Sequence, residues 1–185
     1  MRHIIYFSKD GPTSGKALSK NNKQGKINLI KAGRMDIAIH SIIQSLFLSH
    51  DFREDTMVHL VFYGPPDPPR HIEIKLKKEE SEITKKKLAE LLKRVLYKYQ
   101  EGKKTEPVPG YKIEKKSLSD VANDLKEQGS QIFILDKKGK DLRKIEIKDN
   151  PAFILGDQEG IPKKEKEELK DIAENVSLGN KTYLA

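Results

Sequence analysis

Phe153-Ile154-Leu155-Gly156-Asp157-Gln158-Glu159-Gly160-Ile161-Pro162 is the stretch that decides the class of this chain. Its three apolar residues read as a short buried strand. Gly156 and Gly160 bracket a polar loop, and Pro162 then starts a helix at a favoured first-turn position. In α/β sheets, ligands bind just outside the carboxyl ends of the strands, so this loop is well placed for one. Glycines there let backbone amides come close to a flat ligand. The spacing fits neither G-x-G-x-x-G nor G-x-x-x-x-G-K-[ST], which excludes the dinucleotide fingerprint and the P-loop. Taken alone, the segment reads first as an ordinary β–α turn.

Reading outward, Gln131-Ile132-Phe133-Ile134-Leu135 is a near-continuous apolar run of the kind found in internal parallel strands, and Val176-Ser177-Leu178 is a third strand. Upstream, Ile4 to Phe7 and Val58 to Tyr63 are short buried strands. The second ends in Gly64-Pro65-Pro66-Asp67-Pro68-Pro69, where four prolines forbid ladder pairing. His71 to Leu76 alternates polar and apolar residues, the pattern of a half-exposed strand. A loop with Pro107, Pro109 and Gly110 leads to a short strand at Tyr111 to Ile113. Met35, Ala38, Ile39, Ile42, Ile43 and Leu46 recur at helical spacing and predict a helix over 34–48. Leu88, Leu91, Leu92, Val95, Leu96 and Tyr99 predict another over 82–99. Ser117-x-x-Asp120 opens a further helix as a capping box, and Gly129 closes it. Residues 8–32 form a long polar loop, a length usually tied to function or disorder. Helices alternate with strands throughout. The expectation is a single α/β domain with a mainly parallel sheet flanked by helices.

Composition narrows the chemistry. The chain has 185 residues, 36% hydrophobic and 35% charged, enough for one modest core. Ile37 to Leu48 is the longest uncharged apolar stretch, too short to span a membrane. The N-terminus lacks a long apolar region with a cleavage site, so a cytoplasmic protein without membrane partners is expected. There is no cysteine, which rules out disulfides, thiolate catalysis and cysteine-ligated metals. The five histidines show no paired metal-ligand spacing, and no metal is expected. A net charge of +8 suits a polyanionic partner such as RNA, although lysine-rich runs also serve solubility.

The three strand-plus-loop segments gain meaning as a series: Ile132-Phe133-Ile134-Leu135, then Phe153 to Pro162, then Val176-Ser177-Leu178-Gly179-Asn180-Lys181-Thr182-Tyr183-Leu184-Ala185. This series resembles the knotted S-adenosylmethionine site of the SPOUT methyltransferases. Gly33-Arg34-Met35-Asp36, Leu48-Ser49-His50-Asp51-Phe52-Arg53-Glu54-Asp55 and Tyr63-Gly64-Pro65-Pro66-Asp67-Pro68-Pro69 narrow the likeness. They resemble the archaeal tRNA pseudouridine N1-methyltransferase family, across nearly the whole chain.

That resemblance implies an α/β knot with a C-terminal trefoil over about 131–185, S-adenosylmethionine as cofactor, a homodimer paired through the knot, and methylation of N1 of pseudouridine 54 in the tRNA T-loop. It places Leu135, Gly156, Gly160, Ser177, Leu178, Gly179 and Leu184 at the cofactor. A side chain at Gly156 is then expected to fill cofactor space without disturbing the fold. Arg34 is implied as a clamp on RNA phosphate or on the flipped base, Asp36 as the group that orients or deprotonates N1–H, and Arg53 as an RNA contact. Arg34 and Asp36, two apart at a helix start, are expected to point different ways. In this family the chain continues beyond the segment matching Tyr183-Leu184-Ala185 with a helix that completes the knot, and that helix is expected to be missing here. Simpler readings stand beside these: a solvent arginine for Arg34, a dipole-complementing acid for Asp36, a surface residue for Arg53, and a helix cap for His50. Two rival functions also stand, the same chemistry on rRNA and a non-catalytic basic RNA-binding protein on this scaffold.

Overall fold

The computed structural model describes residues 1–19, 27–48, 51–76 and 84–179. Its strands are β1 (Arg2–Ser8), β2 (Thr56–Phe62), β3 (Arg70–Ile74), β4 (Thr105–Val108), β5 (Tyr111–Glu114), β6 (Gln131–Asp141), β7 (Pro151–Leu155) and β8 (Ala173–Ser177). Its helices are α1 (Met35–Leu46), α2 (Lys85–Tyr97), α3 (Leu118–Glu127) and α4 (Lys163–Leu169). The strands form one sheet in the order β4-β5-β3-β2-β1-β7-β6-β8. From β2 to β8 every pairing is parallel, and from β2 to β4 every pairing is antiparallel. The first strand of the chain thus lies at the centre, between β2 and the late strand β7.

Period-two alternation divides the core. Tyr6 of β1 and Leu60 of β2 face a cluster built with α1 and α2, whereas Ile5, Phe7 and Val61 face one built with α3 and Leu169 of α4. Met35, Ile39, Ile42 and Leu46 of α1 are almost wholly buried. Truncating one of them, Ile42→Ala for example, costs about 2–5 kcal/mol. The capping box of α3 forms as the sequence predicts: Ser117 Oγ accepts from Asp120 N at 3.1 Å and Ser117 N donates to Asp120 Oδ2 at 3.3 Å. No helix among the described residues is long and apolar enough to cross a membrane.

Three expectations change. α1 begins at Met35 and α2 at Lys85, so both helices are shorter than their apolar periodicity suggests. The loop before Gly110 contains edge strand β4, which accommodates Pro107 because an edge position needs fewer ladder donors. The strand around His71 is not half-exposed. It is interior, and His71 is buried, with Glu73 partly covered and Lys75 exposed.

His71 belongs to a chain of hydrogen bonds crossing four strands. His3 Nδ1 lies 3.0 Å from His59 Nε2, His59 Nδ1 lies 3.0 Å from His71 Nε2, and His71 Nδ1 lies 3.0 Å from Glu114 Oε1. The hydrogen bond from His71, together with Lys104, lowers the Glu114 carboxyl to about 2, so it is an acceptor. With neutral rings, each Nδ1 then donates, His59 Nε2 accepting from His3 and His71 Nε2 from His59. Burial depresses His3 and, much more strongly, His59. Below pH 6.5 the unfolded chain therefore binds more protons than the folded one, and stability falls as pH drops through that value. Glu114 adds stability that is present above 4.5 and lost as pH falls toward 2. Thermal unfolding followed by circular dichroism should give a melting temperature that declines between pH 7 and 5. A flat profile would contradict the depression of His3 and His59 by burial.

Candidate active site

The middle of β6, where its pairing with β8 shifts register after Leu135, and the carboxyl ends of β7 and β8 open into a cleft of about 530 Å³. Leu135 and Asp136 enter it from β6, Leu155 and the 156–161 loop from the end of β7, and Val176 to Gly179 from the end of β8. Ser41, Gln44 and Ser45 of α1 complete the wall. Six residues expected at a cofactor, Leu135, Gly156, Gly160, Ser177, Leu178 and Gly179, therefore line one cavity. Leu184 lies outside the described residues. The floor is apolar (Leu135, Leu155, Ile161, Val176), and Leu178 is 48% exposed at its edge. Asp136 and Lys166 form an ion pair at the cleft, which holds the Asp136 carboxyl below its ordinary value.

The loop glycines serve a different purpose from the one expected. A Cβ on Gly156 would lie 2.5 Å from the Gly160 carbonyl carbon and 2.8 Å from Ile161 N, so the loop folds back on Gly156 itself. A valine there would break the loop instead of merely filling ligand space. Gly160 faces open space, but its φ of 77° is one that side chains rarely adopt. Ser177 closes the third loop locally: its Oγ donates to Gly179 O and accepts from Gly179 N, both at 3.1 Å.

Asp157 is a site residue that sequence reading passed over. Its Oδ2 accepts from Ser8 Oγ at 3.1 Å and from Lys9 N at 3.0 Å, and its Oδ1 accepts from Glu159 N at 2.9 Å. The carboxylate joins the cleft loop to the end of β1. Its place in the Gly156-Asp157 turn was visible, but its partners lie about 150 residues away, beyond any local signal.

Arg34 and Asp36 do not line the cleft, and they do not point apart. Arg34 Nε donates to Asp36 Oδ1 at 3.0 Å and its Nη2 donates to Oδ2 at 3.1 Å, a bidentate pair. The pairing is possible because Arg34 precedes α1 in a left-handed conformation (φ 57°), which swings its side chain over the first turn. Gly33 before it is left-handed too (φ 67°), and a Cβ there would meet Asp10 O at 2.0 Å. An arginine held at positive φ carries strain of the kind that collects at functional sites. The pair is half-exposed and raises the arginine while holding the Asp36 carboxyl below its usual range. The buried Tyr6 hydroxyl connects the two regions electrostatically. Burial and then the Asp157 carboxylate push its phenol upward, with smaller effects from Asp36 and Arg34.

Arg53, expected at RNA, caps α1. Its Nη1 donates to the carbonyls of Gln44 at 3.0 Å and Ser45 at 3.1 Å, where the helix leaves acceptors free. His50 lies outside the described residues. Among the described residues, no cluster of His, Asp and Glu is arranged to hold a metal ion.

Comparison with known proteins follows this geometry. A family model described as "Putative SAM-dependent RNA methyltransferase" matches residues 1–185. The tRNA (pseudouridine(54)-N(1))-methyltransferase of Thermococcus gammatolerans is 33% identical over 161 residues, covering 83% of this chain and 79% of that protein. Its namesake from Methanococcus aeolicus is 35% identical over 176 residues, covering 86% and 84%. The one from Methanopyrus kandleri is 30% identical and covers 100% of this chain and 87% of its own. Among solved structures, Archaeoglobus fulgidus Nep1 bound to S-adenosylhomocysteine superposes with a TM-score of 0.61 at 13% identity, covering 98% of this chain and 90% of that one, a likeness of fold.

The exposed leucine at the cleft edge offers a clean probe. Leu178→Ala should leave the melting temperature within a degree or two, since the side chain is half in solvent. Titration calorimetry should show S-adenosylhomocysteine binding weakened about tenfold, the equivalent of ~1.4 kcal/mol of lost apolar contact. Unchanged affinity would remove Leu178 from the ligand's surroundings.

Proposed function

The chain belongs to the family of tRNA (pseudouridine(54)-N(1))-methyltransferases, and from that premise we propose that it transfers the methyl group of S-adenosylmethionine to N1 of pseudouridine 54 in tRNA. The observation that carries the reading is the meeting of β6, the loop after β7 and the end of β8 in one cleft walled by α1, the helix that begins at the braced arginine–aspartate pair. A cavity of about 530 Å³ with an apolar floor suits an adenosyl group. Leu135, Leu178 and the backbone of the Gly156 and Ser177–Gly179 loops would hold it. The cofactor supplies a methyl group on a sulfonium, a displacement that calls on the protein mainly for alignment.

The reaction forms the N1–methyl bond as the methyl–sulfur bond breaks, and the N1 proton must leave. We assign its acceptor as Asp36. Held ionised by Arg34, this carboxylate is a ready hydrogen-bond acceptor at neutral pH but a weak base, so its first task is to orient N1–H. Arg34, with its planar fork, is assigned to an RNA phosphate or to the extruded base, and binding would draw it away from Asp36 and free the carboxylate. Arg53 is omitted from this assignment because its guanidinium is committed to the end of α1.

A homodimer is part of the proposal. Leu178 at the cleft edge and Leu48, two residues beyond the end of α1, are 48% and 49% exposed, and a second copy would cover such leucines. The trefoil knot is part of it too, since residues 180–185 lie outside the described residues. A tRNA substrate implies work in the cytoplasm.

Methyl incorporation should occur into a T-arm stem-loop carrying pseudouridine and not into the same RNA carrying uridine, whose N1 is bonded to the ribose. Equal labelling of the two would eliminate the assignment to N1. With the pseudouridine RNA, Asp36→Asn should slow single-turnover transfer by about 10²–10⁴-fold while leaving cofactor binding intact. A full-rate Asp36→Asn enzyme would take Asp36 out of the chemistry. Sedimentation at micromolar concentration should give a species of twice the chain's mass, and Leu48→Glu should shift it toward the monomer.

A further inference from the structure

Helix α2 carries charges that its own dipole opposes. Lys85, Lys86 and Lys87 fill its first turn, where free N–H groups favour acids, and the turn contains no acid at all. The helix start is otherwise sound, because Thr84 Oγ1 accepts from Lys87 N at 3.2 Å. The cationic character continues to the other end. Residues 85–98 hold six basic residues (Lys85, Lys86, Lys87, Lys93, Arg94, Lys98) and one acid, Glu90. The preceding segment 77–83, outside the described residues, brings two lysines and three acids, which leaves the region strongly positive.

Elsewhere in the protein several lysines are paired. Lys104 and Lys112 meet Glu73, Lys140 meets Glu174, and Lys170 meets Glu167. Among the described residues, none of the six cations of α2 has an ion-pair partner. An unneutralised row that also works against its helix calls for an external anion.

The position of α2 indicates which anion. Its apolar face (Leu88, Leu92, Val95, Leu96) is spent on the same core as α1. No continuous apolar face is left outward to enter a bilayer, as a membrane-surface helix requires. The C-terminal end of α2 meets the 3₁₀ turn Ala17–Ser19, where Tyr97 OH and Ser19 Oγ lie 2.7 Å apart and Gly15 makes room for the Tyr97 ring. That turn belongs to the segment leaving β1, whose Ser8 and Lys9 hold Asp157 at the cleft. The C-terminal end of α2 therefore packs on the segment that leaves β1, and the cationic row runs about 20 Å along the helix from that contact. Tyr97, 50% exposed, sits within it as a flat surface among cations, the combination used to hold RNA backbone and bases.

We propose that the outer face of α2 is an extended phosphate-binding surface for the body of the tRNA, beyond the contacts made at the target base. This rests on the reading of the chain as a tRNA methyltransferase, and the test separates the two. In the full chain, Lys85→Glu, Lys86→Glu and Lys87→Glu are combined. The melting temperature should hold or rise, because acids suit the first turn of a helix. Binding of whole tRNA, read by fluorescence anisotropy, should weaken about tenfold or more near 0.1 M salt. The slope of log affinity against log salt should become shallower by about 2 to 3. Methylation of a saturating T-arm stem-loop carrying pseudouridine should be unchanged. Parental tRNA affinity and salt slope in the triple variant would overturn the proposal. So would an equal loss for stem-loop and whole tRNA, or parental tRNA binding alongside loss of binding to phosphatidylserine vesicles. Binding is read without methyl transfer, so a parent enzyme that methylates neither RNA would refute the enzymatic reading while the binding comparison still decided the role of α2.

Discussion

The Asp157 carboxylate joins the start of the chain to its last third, and the site is arranged around that join. Three donors converge on it: the Ser8 hydroxyl, the Lys9 amide and the Glu159 amide. It is 8% exposed, so these bonds act where water competes poorly. Ser8 Oγ in turn accepts from Gly11 N at 3.0 Å, which sets the course of the loop leaving β1. The pairing of β1 with both β2 and β7 brings the two loops side by side, and Asp157 fixes their separation. The cleft wall and the segment leading toward Arg34 therefore share one anchor.

A second polar element stabilises the opposite end of the sheet. The His3–His59–His71–Glu114 chain occupies positions that aliphatic residues fill further along the same strands. Each buried ring nitrogen between His3 Nδ1 and Glu114 has a partner, so the usual penalty for burying polar groups is offset. Its direction is set at one end by a carboxylate that stays ionised. The arrangement gives register specificity to β1, β2, β3 and β5, because a one-residue slip would turn every imidazole to the wrong face.

The Arg34–Asp36 pair shows how local strain and electrostatics combine. The left-handed φ of Arg34 costs energy that the pairing offsets in part, and both groups are accessible enough for the pair to open. The pair keeps the carboxylate ionised and held in one position.

Much of the architecture was legible locally. Apolar runs at 131–135, 153–155 and 176–178 marked strands, the first of which continues to Asp141, and Ser117-x-x-Asp120 with Gly129 bounded α3, because periodicity, capping and turn chemistry are short-range properties. Six residues that the family resemblance pointed to line one cleft because they sit on neighbouring strands and the loops that follow them. What escaped depends on contacts distant in sequence. The alternation around His71 looked half-exposed because pattern records polarity and cannot record that the polar atoms find buried partners on β1, β2 and β5. Arg53 looked like a surface contact because nothing local shows that the chain returns to the carboxyl end of α1. Gly156 looked like space for a ligand, but its own loop occupies that space. The sequence determined which segments are strands, helices and turns; which side chains face one another, and hence which charges are paired and which stay open, was decided by the tertiary structure, since pairing energies depend on distances that only the packed sheet sets.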